Sequence, residues 1–439
     1  VTEWIGTAEA ARRLGVKQAT LYSYVSRGVL RRRTGADGRA SLFDAEEVEV
    51  LACRGRPRLP GPGELVIESS LTEITGDRAF YRGHDITTLA AQHALEDVAW
   101  LLWTGRLTGG GNGPWRASAA ALRAGRAAQA ALPEGTLPLE RFQVIVPALA
   151  AADPMRLHLD PAAVIAAGQS IMAGMVDCLP AAGSDQGAVG RPDEHVAAGA
   201  DEQTADNADW QLAGGAADAS LTARLWPKLC PGALSTGLRD ALRAALVLLA
   251  DHELAASTLA ARVAASVRAD PYAVVATGMG AAGGALHGGA SLGVETMLAA
   301  AAGPAEVPRV VGSVLRRGER IPGFGHFVYR AGDPRAAFLL AQIEATAPGS
   351  PRLEVAQALM AEVARRGLPS PNIDFALGVL ASVSGMVTGA GEAVFAVART
   401  AGWLGHALEE YARRTPLRPR ARYTGPAGGN QGGPLLHSV

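Results

Sequence analysis

Three short segments in the second half of the chain each set a proton-transferring side chain among glycines or beside a proline. They are Gly284-Ala-Leu-His287-Gly-Gly289, Pro322-Gly-Phe-Gly-His326 and Pro371-Asn-Ile-Asp374-Phe375. Glycine and proline interrupt regular structure, so each of these groups can sit at a bend with its side chain projecting and backbone N–H groups exposed. Asp374 follows Asn372 and precedes Phe375-Ala-Leu, at the entry to an apolar helix. Partial desolvation there would raise its pKa and make it a useful base. His287 could donate a hydrogen bond to a developing enolate oxygen, and His326 to a second carbonyl. A carboxylate base with two imidazole donors suits proton abstraction beside a carbonyl and carbon–carbon bond formation. The histidines lack the i,i+4 spacing of metal hydrolases, so no metal is expected; a structural zinc or iron site built from the three is the alternative.

Arginines extend the constellation. Arg335 lies in Asp333-Pro-Arg-Ala336, Arg399 in Phe395-Ala-Val-Ala-Arg399, and Arg418 opens Arg418-Pro-Arg-Ala-Arg-Tyr-Thr-Gly425. The planar guanidinium grips carboxylates bidentately, so three of them near two histidines suggest a small polycarboxylate substrate. Each taken singly is as ordinary as a surface or helix-capping residue.

The elements that must carry these groups are mostly helical. At 439 residues the chain is long enough for two or three domains, and its 48% hydrophobic and 19% charged content is that of a globular protein with a large core. The net charge of −1 argues against a chain-wide affinity for nucleic acid. Charge is uneven, however: residues 1–58 hold eleven Lys/Arg against seven Asp/Glu, and the remainder thirty against thirty-five. That asymmetry marks the N-terminus as a separate unit. Cys53, Cys178 and Cys230 are isolated, so neither a disulfide framework nor a zinc site is indicated, and a cytoplasmic location is expected. No N-terminal apolar run resembles a signal peptide.

In residues 1–58, Thr7 can cap a helix through Leu14, Gly15-Val16 makes a turn, and a second helix runs from Gln18 to Val25, stopping at Arg27-Gly28. Leu30–Arg39 reads as a basic hairpin and Phe43–Leu51 as another helix. This stretch resembles the winged helix-turn-helix DNA-binding module of MerR-type regulators and excisionases. That resemblance implies Lys17, Gln18, Thr20 and Tyr22 at base edges and phosphates, with Arg31, Arg32 and Arg33 on phosphates from the wing. A protein-contact module with a solvated basic face is the alternative. The Pro/Gly-rich residues 59–63 form a linker. Beyond it, 65–74 with Gly76-Asp77 suggests a strand pair, and helices are expected over 95–102, 114–131, 238–250, 252–267, 272–283, 353–366, 378–388 and 390–414. Residues 180–217 lack periodicity and read as a long flexible loop.

Taken in order, Tyr81-Arg-Gly-His-Asp-Ile86, Ala250-Asp-His252-Glu-Leu-Ala-Ala-Ser-Thr258 and the segments around His287, His326, Asp374, Arg399 and Arg418 resemble the citrate synthase family over residues 60–430. The resemblance implies a mostly α, two-domain fold, with a large domain (64–288 and 386–430), a small domain (289–385) and a tail (431–439). It also implies a homodimer that closes over its substrates. His287, His326 and Asp374 would be catalytic in condensing acetyl-CoA with oxaloacetate. His252, Arg335 and Arg399 would bind oxaloacetate, with Arg418 reaching in from the other subunit. Gly323, Phe324, Gly325 and Arg330 would meet CoA, and no cofactor is needed.

The sequence departs from the family pattern at Phe327, Ala376 and Ala255, in the 180–217 segment and in the fused N-terminal module. Substrate choice therefore stays open. A 2-methylcitrate synthase using propionyl-CoA differs by one methylene, worth about 1–3 kcal/mol in an apolar pocket. A regulator that senses oxaloacetate or an acyl-CoA through an enzyme-like half is the other alternative.

Overall fold

The computed structural model describes residues 4–14, 16, 18–26, 30–35, 40–45, 47–48, 66–107, 113–183, 220–232, 235–284, 287, 289–330, 332–413, 415–419, 421 and 424. They fall into two compact units, 1–68 and 69–439.

In the first unit, β1 (Trp4–Gly6) leads directly into α1 (Thr7–Leu14), and α2 (Gln18–Ser26) follows. The hairpin of β2 (Arg32–Thr34) and β3 (Ser41–Asp44) then completes an antiparallel sheet of order β1-β3-β2. Its core is small: Ile5, Ala10, Leu21, Leu30, Phe43 and Val48 are buried together. The helix expected from Phe43 begins instead at residue 45. Phe43 is a strand residue paired with Ile5 and Arg32, because its ring is needed in that core.

The second unit opens with the hairpin β4 (Thr72–Thr75) and β5 (Arg78–Tyr81), turned at Gly76 with φ 63°, and the short β6 (His84–Asp85). The strand pair expected over 65–74 is met in part: only 72–75 of that run is strand, 76–77 is the turn, and the partner strand lies beyond it at 78–81. Helices follow: α3 (Ile86–Gln92), α4 (Leu95–Thr104), α5 (Ala119–Ala130), α6 (Pro138–Ala151), α7 (Pro161–Cys178) and α8 (Leu221–Leu229). Then come α9 (Thr236–Leu249), α10 (Ala256–Ser266), α11 (Pro271–Ala282), α12 (Ala290–Ala299) and α13 (Val307–Arg316). The last four are α14 (Pro334–Thr346), α15 (Pro351–Arg365), α16 (Ile373–Ser384) and α17 (Ala390–Ala412). Most of the expected 180–217 loop lies outside the described residues.

Three boundaries differ from the sequence reading for physical reasons. Helix α5 starts at Ala119 because Ser118, whose Oγ accepts from Ala121 N, is the effective cap. Helix α16 ends at Ser384 because Gly385 turns left-handed at φ 63°, and it begins early enough to include Asp374. Helix α10 starts at Ala256, not at 252, because Glu253 sits at φ 53° and breaks the run. His252 is thereby carried on a turn.

Helix α17 organises the second unit. Its 23 residues span about 35 Å, and it packs against α4, α7, α9, α10 and α11. Alanine and glycine at ten of its 23 positions permit this crowding. A side chain at Gly402 would collide with Ala250 O and Asp251, and one at Gly278 would strike Trp403. Helix α16 packs against α12, α14 and α15, and α9 bridges toward α14 and α16. One described helix, Pro161–Cys178, is long and apolar enough to cross a membrane by length and composition, and 56% of it is buried inside this fold. Cys178 and Cys230 are buried free thiols.

Candidate active site

The three proton-transferring groups stand where chain breaks put them. Asp374 is the second residue of α16, and the helix is capped by Asn372, whose side chain accepts from Asp374 N and Phe375 N. Asn372 also ties the neighbouring glycine segment down. Its Nδ2 donates to Gly325 O at 2.9 Å and its N to Gly323 O, while Gly325 N donates to Ser370 O. Gly323 and Gly325 both hold positive φ, 79° and 84°, and a side chain at Gly323 would collide with Val294 and Phe375. This zipper delivers His326 beside the start of α16.

His326 has a fixed tautomer. Val328 N and Tyr329 N donate to its Nδ1 at 3.0 and 3.2 Å, so the ring proton sits on Nε2. Arg335 Nη2 lies 3.3 Å from that same Nε2 and can only donate. Two donors therefore face one another, an arrangement that an oxygen acceptor would complete. Arg335 is 2% exposed and is gripped by Asp333, which accepts from its N, Nε and Nη2 and also from Ile373 N. One carboxylate thus fixes both the arginine and the residue before Asp374.

His252 joins this group edge-on to His326, with ring centroids 5.2 Å apart, and its Nε2 lies 3.2 Å from Tyr329 Oη. Tyr329 stacks near His326, and the Arg335 guanidinium sits over its ring. His287 has its own partners. Its Nε2 is 2.8 Å from Ser257 Oγ and its ring meets Phe395 edge-on at 5.6 Å. Arg399 covers the same Phe395 and donates from Nε to Leu249 O.

The electrostatics follow from burial among these cations. Burial raises Asp374 to about 6; Asp333 adds to the effect, and Arg335 and Arg399 oppose it. Burial, then Arg335, lowers His326 to about 4. Burial, then Arg399, lowers His287 to about 4. His252 is driven well below the usual histidine value by burial, Arg335, Arg399 and His326. Near neutrality the imidazoles are therefore uncharged donors and Asp374 is an ionised base held close to its pKa.

A cavity of about 200 Å³ opens beside His326 and Asp333, with Tyr329, Arg330 and the 369–371 turn around it. Arg330 is exposed at this cavity, whereas Phe324 is half-buried against Phe375. Arg418 lies exposed beyond α17. The sequence reading missed Tyr329, Asp333 and Ser257 as site residues. Asp333-Pro334 before a helix was a readable cap signal; Ser257 stood in the 250–258 segment without a role of its own, since only the fold brings it to His287.

In the first unit, Gln18 is exposed, Thr20 is half-buried, and Tyr22 packs edge-on to Phe43. Lys17 lies outside the described residues. Arg31 is engaged by Asp44 and Glu47, at 2.7 and 2.5 Å. Arg32 and Arg33 are exposed, one beside the Tyr22 ring and one over Trp4.

Comparison with known proteins matches residues 62–420 to the citrate synthase C-terminal domain family. A citrate synthase of Haloferax volcanii is 32% identical over 384 residues, covering 83% of this chain and 94% of that protein. A 2-methylcitrate synthase of Mycobacterium tuberculosis is 29% identical over 354 residues, covering 79% of this chain and 84% of its own. Among solved structures, the fold resembles a Thermoplasma acidophilum citrate synthase in ternary complex with carboxymethyl coenzyme A and oxaloacetate. There the TM-score is 0.64 at 23% identity, over 84% of this chain and 96% of that one.

Proposed function

The chain belongs to the citrate synthase family, and on that premise we propose that it condenses acetyl-CoA with oxaloacetate to give citrate and CoA. It is an acyltransferase of the class that converts the acyl group to alkyl on transfer, and that chemistry needs no resident cofactor. The observation that carries the proposal is the opposed pair of donors, His326 Nε2–H and Arg335 Nη2. Oxaloacetate would supply the missing acceptor: its carbonyl oxygen against His326, its carboxylates against Arg335, Arg399 and His252. Asp374 takes a methyl proton from acetyl-CoA. His287 stabilises the resulting enol oxygen; when the Ser257 hydroxyl donates to Nε2, the ring's Nδ1–H is the donor. The enol carbon attacks the polarised carbonyl, and hydrolysis of citryl-CoA releases the products.

CoA lies along Gly323–Gly325 with Arg330 toward its phosphates. Arg418 completes the site of the other subunit of a homodimer, and a small domain over 289–385 closes on a larger one. The 2-methylcitrate synthase relative favours propionyl-CoA as the second reading. Assaying CoA release from acetyl-CoA and propionyl-CoA side by side decides between them: a higher kcat/KM for propionyl-CoA overturns the acetyl-CoA assignment.

The N-terminal unit, with two short helices and a basic hairpin, supports DNA binding through Gln18, Thr20, Tyr22 and above all Arg32 and Arg33, with Arg31 partly neutralised by its carboxylates. Enrichment of genomic fragments at low salt by the full chain, lost on deleting residues 1–58, is the expected result. Equal enrichment after the deletion would contradict it.

A further inference from the structure

The turn that carries His252 is fastened from behind by a buried chain of charged and polar groups, of which only Arg399 has a part in the proposed condensation. Residues 249–251 are held through their carbonyls, the Asp251 N–H and one carboxylate oxygen of Asp251, while the other, Oδ1, is buried without a partner. Gly402 N donates to Ala250 O, and Arg399 Nε donates to Leu249 O. Tyr81 Oη donates to Asp251 O at 2.9 Å and lies 3.2 Å from Asp251 N. Asp251, 1% exposed, receives Thr72 Oγ1 and His406 Nε2 on one and the same carboxylate oxygen, Oδ2.

The direction of the hydrogen bonds in this chain is determined. Arg262 Nη1 lies 2.6 Å from His406 Nδ1 and, being a guanidinium, can only donate. His406 Nδ1 is therefore an acceptor, and the ring proton is on Nε2, facing Asp251. Arg262 is itself anchored by Glu409 and Glu410. Residues 399, 402, 406 and 409–410 recur on one face of α17, so one helix face holds the turn from that side while Thr72 and Tyr81 hold it from the hairpin. Burial disfavours the Asp251 carboxylate, yet His406, Arg399 and Thr72 keep it below the ordinary aspartate value. The carboxylate is an ionised anchor one residue from the imidazole.

We propose that His406 is a positioning residue for oxaloacetate recognition: its Nε2–H, oriented by Arg262, fixes Asp251 and so aims His252 at the substrate. This rests on the reading of His252 as an oxaloacetate contact. His406 touches neither substrate, and its effect passes through one hydrogen bond.

Two substitutions separate this role from simple packing. In His406→Asn the amide overlays Nδ1, retaining the partner of Arg262 and losing the donor to Asp251. In His406→Gln the amide reaches the place of Nε2, retaining the donor to Asp251 and losing the Arg262 contact. Each leaves one buried partner unmatched, so thermal midpoints should fall in both. The asparagine variant should raise the oxaloacetate KM on the order of tenfold to hundredfold, as small misplacements near a reacting centre do. Its acetyl-CoA KM should stay near wild type, and the glutamine variant should stay near wild type for both substrates. Equal oxaloacetate KM in the two variants, or parallel changes for both substrates, would overturn the proposal. If His406→Asn does not fold, Thr72→Val removes the other donor to Asp251 Oδ2 and should raise the oxaloacetate KM alone; no change there overturns the proposal equally. His252→Ala is the control. If it leaves the oxaloacetate KM unaltered, the assignment of His252 fails; if it raises that KM while His406→Asn does not, only the positioning role fails.

Discussion

The two units of this chain both present arginine, and they use it in opposite ways. In the first unit Arg31 has 69% of its side chain exposed and is balanced by Asp44 and Glu47, while Arg32 and Arg33 stand in solvent against aromatic rings. In the second, Arg335 and Arg399 are each 2% exposed. Exposed guanidiniums act through a screened field, at roughly 0–1 kcal/mol per contact. Buried ones shift every titrating group around them and hold a ligand oxygen in a fixed direction. Arg399 alone acts on His252, His287 and Asp374, three groups far apart in sequence. The contrast separates a solvent-screened arginine surface from a pocket in which buried guanidiniums set the charge state of their neighbours.

The largest effect that would break this contrast lies at the base. Asp374→Ala should lower kcat by about 10²–10⁴-fold, the usual contribution of general base catalysis. Oxaloacetate binding, measured by calorimetry, should stay largely intact, because the base acts on the other substrate. Unchanged kcat would remove Asp374 from its role.

Next comes Arg335→Gln, which leaves Asp333 a neutral donor but removes the buried charge. Charge-assisted contacts are worth about 1.5–3 kcal/mol, so the oxaloacetate KM should rise roughly tenfold to hundredfold. A shift confined to the acetyl-CoA KM would show that the pocket is misassigned.

The pH profile sharpens the same comparison. The base must be ionised, and burial has raised Asp374 to about 6, so log kcat/KM should fall with unit slope as pH drops below about 6. His287 and His326, lowered to about 4, should add no limb between pH 5 and 8. A second ionisation near 6.5 would mean that an imidazole there is not shielded as described.

The smallest effect belongs to the exposed unit. Arg32→Glu with Arg33→Glu should weaken retention of DNA only several-fold at moderate salt and lower the salt slope by about one per lost phosphate contact. Citrate formation should not change. Loss of condensation in that variant would contradict the independence of the two units' functions.

Much of the site was legible because glycine, proline and capping residues mark chain breaks locally. Asn372 before Asp374 and the two glycines before His326 are signals within a few residues of the group they position. What stayed hidden depends on distant partners. Ser257 meets His287 from thirty residues away, and Tyr81 and His406 meet Asp251 from 170 and 155 residues away. The helix expected over 252–267 failed at its start because no residue type announces the left-handed Glu253; tertiary contacts on the turn impose it. In the first unit the basic hairpin was visible as a charge run, whereas the pairing of Arg31 with Asp44 and Glu47 was not, since it depends on the fold of the intervening strand.

The most direct test of the central claim is CoA release by the purified, full-length chain from acetyl-CoA, followed with a thiol reagent, with and without oxaloacetate. Release should require oxaloacetate and be accompanied by one citrate per CoA. Release at the same rate without oxaloacetate, or none with both substrates present, would contradict the assignment of this site as a condensing centre.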